Sequence, residues 1–411
     1  MAATKKGVWD LQEARDKELQ GEWNYEGYSS GFLFSWGANN YGRLGQNSPA
    51  PTTRNTADYS IGNGIPGEDN VWTDMMTGGI EVSYTGGTKS DGTMWMWGRN
   101  YAGQLGLNGN IPTNRSSPCQ VGTDTTWAAR DDAYNGNDKA KMVTGQGSVL
   151  AIKTDGSLWG WGENQAGQLG QNQNGTNARR SSPTQIPGNW TVINRVKDSG
   201  AYGIKTDNTL WCWGYNGGYL GMGNNTSYSS PTQISGGGEN WRSVGGQGGQ
   251  QQVATKTDGT LWTWGEGGSG QLGLNNRTSQ NSPSQVGTDT DWKMGCTGDD
   301  DTMVIKTNGT LWGMGYNDQG QLGQNALARR SSPTQVGTDT TWNNICHIAP
   351  AGFIGAKTDG TLWAWGKSSS GGLGYGAPND KARSSPTQIG TATSWAGKVV
   401  SVSNGAMAIK S

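Results

Sequence analysis

The sequence predicts an all-β chain: a seven-bladed β-propeller over residues 31–411, its last blade closed by both termini, preceded by a short N-terminal helical segment within residues 1–30. Three observations carry this prediction. Glycine accounts for 70 of 411 residues, far above the ordinary usage of about 7%, and so marks a chain of many tight turns. A Trp-Gly dipeptide recurs at Trp36, Trp97, Trp161, Trp213, Trp264 and Trp365, with Met314-Gly315 standing in once, at intervals of 50 to 64 residues. A Gly-x-Leu-Gly-like element follows each one, from Gly42–Gly45 to Gly371–Gly374. Self-similarity at a fixed period is the mark of a repeat architecture and overrides a domain count taken from length.

In chain order the first element is the helical segment. Val8, Leu11, Arg15, Leu19 and Trp23 follow a spacing of three or four and so share one stripe of a helix. Glu13 and Lys17 form an i,i+4 pair away from it. A helix of three turns is marginal alone in water, so this one needs a surface to lie against. That surface is either its own propeller or a larger assembly, into which Trp9 and the apolar members of the stripe would anchor. Trp9 and Trp23 are also the only tryptophans outside the repeat; the other 19 of 21 fall at three fixed places per unit.

Each unit reads as four short strands. In residues 151–162 an alternating pattern flanks Asp155-Gly156, a hairpin signal, because glycine accepts positive φ and aspartate tolerates it. Equivalent turns stand at Asp91-Gly92, Asp207-Asn208, Asp258-Gly259, Asn308-Gly309 and Asp359-Gly360. A Ser-Ser-Pro-Thr-Gln run opens a further strand, with proline expected at its start, where the ladder needs no donor. The fourth strand runs from a late tryptophan (Trp72, Trp127, Trp190, Trp241, Trp292, Trp342, Trp395) into the glycines before the next hairpin. Four such strands make one blade. Residues 405–410 are the first half of a hairpin and residues 31–37 the second, so both termini build the last blade, close the ring and remove open sheet edges.

Composition excludes several functions. Charged residues are 15% of the chain, with 31 basic against 32 acidic and a net charge of −1, which does not suit nucleic acid, since that needs a basic field. No apolar run is long enough to span a membrane, and Lys5-Lys6 is not followed by the apolar stretch of a secretory signal. Cys119, Cys212, Cys296 and Cys346 lie far apart without a CxxC pair, so neither disulfides nor zinc are expected.

Nothing reads as catalytic, and no metal or cofactor is expected. The recurring turn aspartate is replaced by Asn308 in one repeat; asparagine holds the same turn but cannot titrate. Asp299-Asp300-Asp301 reads as a solvated turn without the spaced ligands of a calcium loop. Cys346-His347 reads as structural, and Gly-Gln-Leu-Gly lacks the Lys and Ser/Thr of a phosphate loop. The Arg-Ser-Ser-Pro runs (Arg115, Arg180, Arg330, Arg383) keep one place per repeat and are expected to pack over the blade tryptophans. Function is sought instead where repeats differ. Two insertions, residues 46–70 with Tyr59 and residues 128–141 with Arg130, Asp131, Asp132 and Tyr134, are candidate contact loops for a protein or a glycan, or else tolerated surface insertions.

The elements Lys-Thr-Asp-Gly-Thr-Leu-Trp-x-Trp-Gly-x-Asn, Gly-Gln-Leu-Gly and Ser-Ser-Pro-Thr-Gln-Val resemble the regulator of chromosome condensation repeat over roughly residues 31–411. The resemblance implies a seven-bladed propeller. That family's founding member is a nuclear exchange factor for a small GTPase that also binds chromatin. This chain departs from it: the stretches before the second strand read Gly-Ser-Val-Leu (147–150), Gln-Gln-Val (251–253) and Asp-Thr-Met-Val (301–304), without the histidine common there, and His347 lies elsewhere in its repeat. It also has no basic chromatin tail. The opening Lys-Lys-Gly-Val-Trp-Asp-Leu-Gln-x-x-Arg-Asp-Lys (5–17) resembles the N-terminal segments of virion proteins from marine tailed phages. The two resemblances together imply a non-enzymatic virion structural protein, a tail or baseplate fibre or adhesion component. It would join other virion proteins through residues 1–30 and meet a host-surface glycan or protein through its loops. The alternatives are a capsid-decorating protein and a soluble protein-binding propeller of bacterial origin, of the guanine-nucleotide exchange-factor kind.

Overall fold

The computed structural model describes residues 32–45, 53–54, 72–75, 77–78, 83–109, 113–129, 140–196, 199–246, 248–368, 371–375, 382–401 and 405–410. The helical segment expected near residues 8–20 lies outside them. Seven blades of four antiparallel strands are present. In the fourth blade, for example, the late-tryptophan strand Trp241–Gly245 pairs with Gln251–Lys256, that strand with Leu261–Gly265, and that one with the outer strand Gln280–Gln285. From the second blade round to the first, the first strand of each blade packs against its counterpart in the next, so these strands lie innermost.

The seventh blade is built from both ends of the chain, as the split hairpin requires. Gly405–Lys410 pairs with Phe32–Ala38, Leu33 opposite Ile409 and Ser35 opposite Met407. One join departs from the repeat: Arg180–Val196 is a single strand of 17 residues, serving as the outer strand of the second blade and the inner strand of the third. Those two blades therefore merge into one sheet of seven strands, which Thr77–Gly78, added in parallel at its edge, extends to eight.

The hairpins follow from local chemistry. Gly92, at φ +76°, donates its N–H to the Lys89 carbonyl at 3.0 Å, and Asp91 Oδ1 accepts from the Thr93 N–H at 2.9 Å and its hydroxyl at 2.6 Å. Asn308 holds the same two bonds with Thr310, at 3.1 and 2.7 Å. The recurring aspartate is thus a turn residue. Glycine is required beside it because a Cβ on Gly92 would fall 1.9 Å from the Thr125 carbonyl oxygen.

Proline takes a different place from the one expected. Pro118 is the fourth residue of Arg115–Gln120, not the first, and lies between the pairs Gly98 with Arg115 and Met96 with Cys119, where the register shifts. A bulge on an edge strand has no ladder bond at that residue, so the missing N–H does no harm.

Blades are latched by the Trp-Gly tryptophans. The indole N–H of Trp161 donates to the Gln104 carbonyl at 2.9 Å, Trp213 to Gln168 at 3.1 Å and Trp365 to Gln321 at 2.9 Å, each acceptor being the second residue of the preceding blade's Gly-x-Leu-Gly. Trp97 does the same with Arg43 at 2.9 Å, which joins the first blade to the seventh and closes the ring. These rings are fully buried, and a tryptophan buries roughly 150–250 Å². Among the described residues no helix is long and apolar enough to cross a membrane.

Candidate protein-interaction face

The blade topology separates two ends. The Asp-Gly hairpins and the links into the late tryptophans share one; the Trp-Gly and Gly-x-Leu-Gly loops share the other.

At the hairpin end six lysines close the second strands of the first six blades. The pairing sets this lysine opposite the late tryptophan, Lys256 opposite Trp241, for instance. Its ammonium then lies between that ring and the tryptophan two before the dipeptide. Lys205 is 5.2 Å from the Trp190 centroid and 3.4 Å from Trp211, and Lys357 is 4.8 Å from Trp342 and 3.7 Å from Trp363. Lys89, Lys153, Lys256 and Lys306 repeat the arrangement. In three blades an aspartate completes it: Lys153 with Asp124, Lys306 with Asp289 at 2.6 Å, and Lys357 with Asp339. Burial pushes the Asp124 carboxyl up, but hydrogen bonds from Lys153 and Thr126 outweigh it and bring it down to about 2. Lysine, rather than the arginine of Arg-Ser-Ser-Pro, therefore covers the blade tryptophans. The expected arginines lie at the other end, where Arg180 donates to Gln173 Oε1 at 2.6 Å and Arg383 lies 4.6 Å from the Tyr375 ring.

Inner-strand cations act as staples between blades. Lys141 Nζ donates to the Thr191 carbonyl at 2.9 Å, Arg242 Nη2 to the Lys293 carbonyl at 2.7 Å and Lys293 Nζ to Asn343 Oδ1 at 2.9 Å.

At the loop end the residue after Trp-Gly changes from blade to blade: Arg99, Glu163, Tyr215, Glu266, Tyr316 and Lys367. The Arg99 guanidinium lies 4.9 Å from the Tyr41 ring and 4.5 Å from the Tyr101 ring. Tyr41 comes from the seventh blade, the other two from the first. Tyr101 in turn rests on the second blade, where a Cβ on Gly147 would fall 2.3 Å from its hydroxyl. Burial, and then the charge of Glu163, pushes the Tyr101 phenol up, which keeps it protonated. Glu163 receives Arg179 through two bonds, at 3.1 and 2.7 Å. Farther round, Tyr215 is 43% exposed and 6.5 Å from Tyr219, and Arg329 lies 4.2 Å from the Tyr316 ring while pairing with Asp318 at 3.3 Å. Tyrosine and arginine, with Tyr41, Tyr215 and Arg329 exposed and Arg99, Tyr101 and Tyr316 half-buried, are the residue types enriched at binding surfaces.

The acidic run needs a correction. Asp301 begins the strand Asp301–Lys306 and is 1% exposed, so it is not part of a solvated turn. Burial first, and then the neighbouring Asp299 and Asp300, hold its carboxyl well above the usual range. Gln251 Nε2 bridges the carbonyls of Gly298 and Asp301, at 3.0 Å each. His347 is 2% exposed and meets Phe353 edge-on at 5.3 Å. Among the described residues no three His, Cys, Asp or Glu side chains are grouped to hold a metal ion, and the four cysteines are free thiols.

All the site residues picked from sequence, the anchor set Val8, Trp9, Leu11, Arg15, Leu19 and Trp23 and the loop set Tyr59, Arg130, Asp131, Asp132 and Tyr134, lie outside the described residues. The loop-end residues were missed. Aligning the repeats and asking where a fixed position changes its residue type would have found Arg99, Tyr215 and Tyr316 without a structure.

The regulator of chromosome condensation (RCC1) repeat matches residues 91–129, 155–198, 258–305, 308–351 and 359–408, more than half of the chain. Similar proteins include the ultraviolet-B receptor UVR8 of Arabidopsis thaliana, 28% identical over 62% of this chain and 54% of that one. The mitochondrial RCC1 domain-containing protein RUG3 of Arabidopsis thaliana is 26% identical over 59% and 52%. The chain spans about half the length of these relatives. Among solved structures, human WBSCR16 superposes with a TM-score of 0.74 at 18% identity, covering 93% of this chain and 99% of that one. Prp20p of Saccharomyces cerevisiae gives 0.72 at 16%, covering 92% and 90%. At such identities these structures speak to the fold.

Proposed function

We propose that this chain, which belongs to the RCC1 repeat family, is a non-enzymatic binding propeller that meets a protein partner with the end carrying the Trp-Gly loops. One observation carries the reading: the position after Trp-Gly changes its residue type between neighbouring blades, with Tyr215 exposed and Arg99 and Tyr316 half-buried there, while the hairpin end repeats one lysine-between-tryptophans arrangement. Prp20p is described by its binding to Gsp1p and histones, which accords with a propeller of this family serving as a platform for proteins. The fold by itself assigns no partner.

The test compares partner capture by the immobilised full chain with capture by two variants. Tyr215→Ala with Tyr316→Ala alters the loop end, and Asp258→Asn alters a hairpin. The loop-end pair is expected to lose the captured protein and the hairpin change to keep it. Retention by the loop-end pair together with loss from Asp258→Asn would overturn the proposal.

A second reading concerns location. The resemblance of residues 5–17 to virion-protein openings supports attachment to a tailed-phage particle, at the tail or baseplate or as capsid decoration, with Val8, Trp9, Leu11, Arg15, Leu19 and Trp23 as the anchor. None of the relatives named above is a virion protein. Crosslinks from Lys5, Lys6 and Lys17 to a particle protein in the intact source would support it, and links to the propeller alone would remove it.

A further inference from the structure

Among the described residues, eight that are not glycine have positive φ. Six are asparagine and one is Ser199; the other is Tyr41, at +61°. Asparagine tolerates this region through its short polar side chain, whereas a bulky aromatic there is an outlier and stores strain. Such strain marks a place where the surroundings dictate the conformation, and an observed outlier is a reason to look for function. Here the strained residue is also 45% exposed, and its ring covers Arg99.

Arg99 is flanked by the faces of Tyr41 and Tyr101, and among the described residues it has no carboxylate partner. Arg179 and Arg329, at the same end, each have one, in Glu163 and Asp318. Ring faces hold a guanidinium in place but do not satisfy its planar fork of N–H donors, which matches a carboxylate bidentately. Arginine also gathers at this end, where it outnumbers Glu163, Glu266 and Asp318, while the hairpin end carries both lysines and aspartates. Apart from Arg195 and Arg242 of the inner strands, every described arginine falls in the stretch from a Trp-Gly dipeptide through the outer strand that follows it, while Asp91, Asp155, Asp207, Asp258 and Asp359 gather at the hairpins.

We infer that the Tyr41–Arg99–Tyr101 clamp is a carboxylate-reading site, and that its occupant is an aspartate or glutamate in an acidic segment of the partner protein. This rests on the proposed protein-binding role of the loop end and adds the chemistry of the partner. The two tyrosines fix the guanidinium before binding, so little side-chain freedom is lost when the carboxylate arrives. Tyr41 contributes through its ring, not through its backbone.

The test is fluorescence anisotropy of the full chain with a labelled peptide of alternating glutamate and glycine, its glutamine counterpart, and oligothymidine. The glutamate peptide is expected to bind, with an affinity that falls as salt rises, and the glutamine peptide to bind at least about tenfold more weakly. Arg99→Ala and Arg99→Lys should each weaken glutamate-peptide binding by about ten- to a hundredfold, the lysine because it keeps the charge but loses the stacked fork. Tyr41→Gly should weaken binding as well while leaving the melting temperature equal or higher, because glycine relieves the positive φ. That variant separates a clamp from a merely structural pair. Unchanged binding in Arg99→Lys, equal binding of both peptides, no binding of the glutamate peptide, or tightest binding of oligothymidine would each overturn the inference. If the peptide fails to bind while Tyr215→Ala with Tyr316→Ala still loses the captured protein, the binding role stands and only the carboxylate reading falls.

Discussion

The two ends of this propeller use the same kind of contact, a cation over an aromatic ring, to opposite effect. At the hairpin end a lysine lies between two tryptophans in each of the first six blades, and three of those lysines also meet an aspartate of their own blade. At the loop end arginines lie over tyrosines, the partners change from blade to blade, and Arg99 has no acid of its own among the described residues. Repetition marks the contacts that every blade needs to pack. Variation marks positions released from that need, and those are the ones a partner can read.

Disruption should be greatest among the tryptophans at the hairpin end. Trp190 is fully buried, 5.5 Å from Trp213 and 6.3 Å from Trp211. Trp190→Ala should lower unfolding free energy in urea by about 3–5 kcal/mol; a loss below about 1 kcal/mol would show that this end is not the stabilising one.

Removing one cation is a smaller change. Lys153→Met should cost about 1–2 kcal/mol at neutral pH, from the lost contact with Trp127 and Trp159. It should also flatten the acid limb of the stability profile. The Asp124 carboxyl is depressed in the folded state to about 2, so its contribution is complete above the unfolded value of about 3.9 and disappears as pH falls through the folded one. Urea titrations between about pH 5 and about pH 2 should show a shallower decline in the variant than in the parent.

Asp301→Asn should act in the other direction. The Asp301 carboxyl is raised in the folded state, so its contribution is complete below about pH 3.9 and is lost as pH rises through the folded value. The amide keeps the shape without that penalty. We expect the variant to be more stable at pH 7 by about 1 kcal/mol and the two profiles to converge in acid; a destabilised variant at neutral pH would show that the ionised carboxylate is used. The smallest effect belongs to Asp258→Asn, within about 0.5 kcal/mol by thermal melting, because Asn308 already holds the same turn.

Much of the architecture was legible because it rests on short-range chemistry written out again in each repeat. An aspartate two residues before a threonine and beside a glycine makes the hairpin wherever it occurs, and the half-hairpins at residues 31–37 and 405–410 announced the closed seventh blade. The position of Pro118 within its strand was not legible, since a bulge is a property of two paired strands. Nor was the continuous strand Arg180–Val196, since each half reads as an ordinary strand of its own blade.

The sequence by itself determined the number of blades, their turns and the manner of closure, because each depends on residues a few places apart whose backbone preferences act locally. Only the tertiary structure decided which cations stack on which rings. Lys256 meets Trp241 through strand register, the Asp301 carboxyl is raised because the strand it begins is buried, and Tyr41 reaches Arg99 across the closing contact of the ring. Burial, charge and contact at these places depend on residues brought from distant parts of the chain, and their energies exist only once the ring has formed.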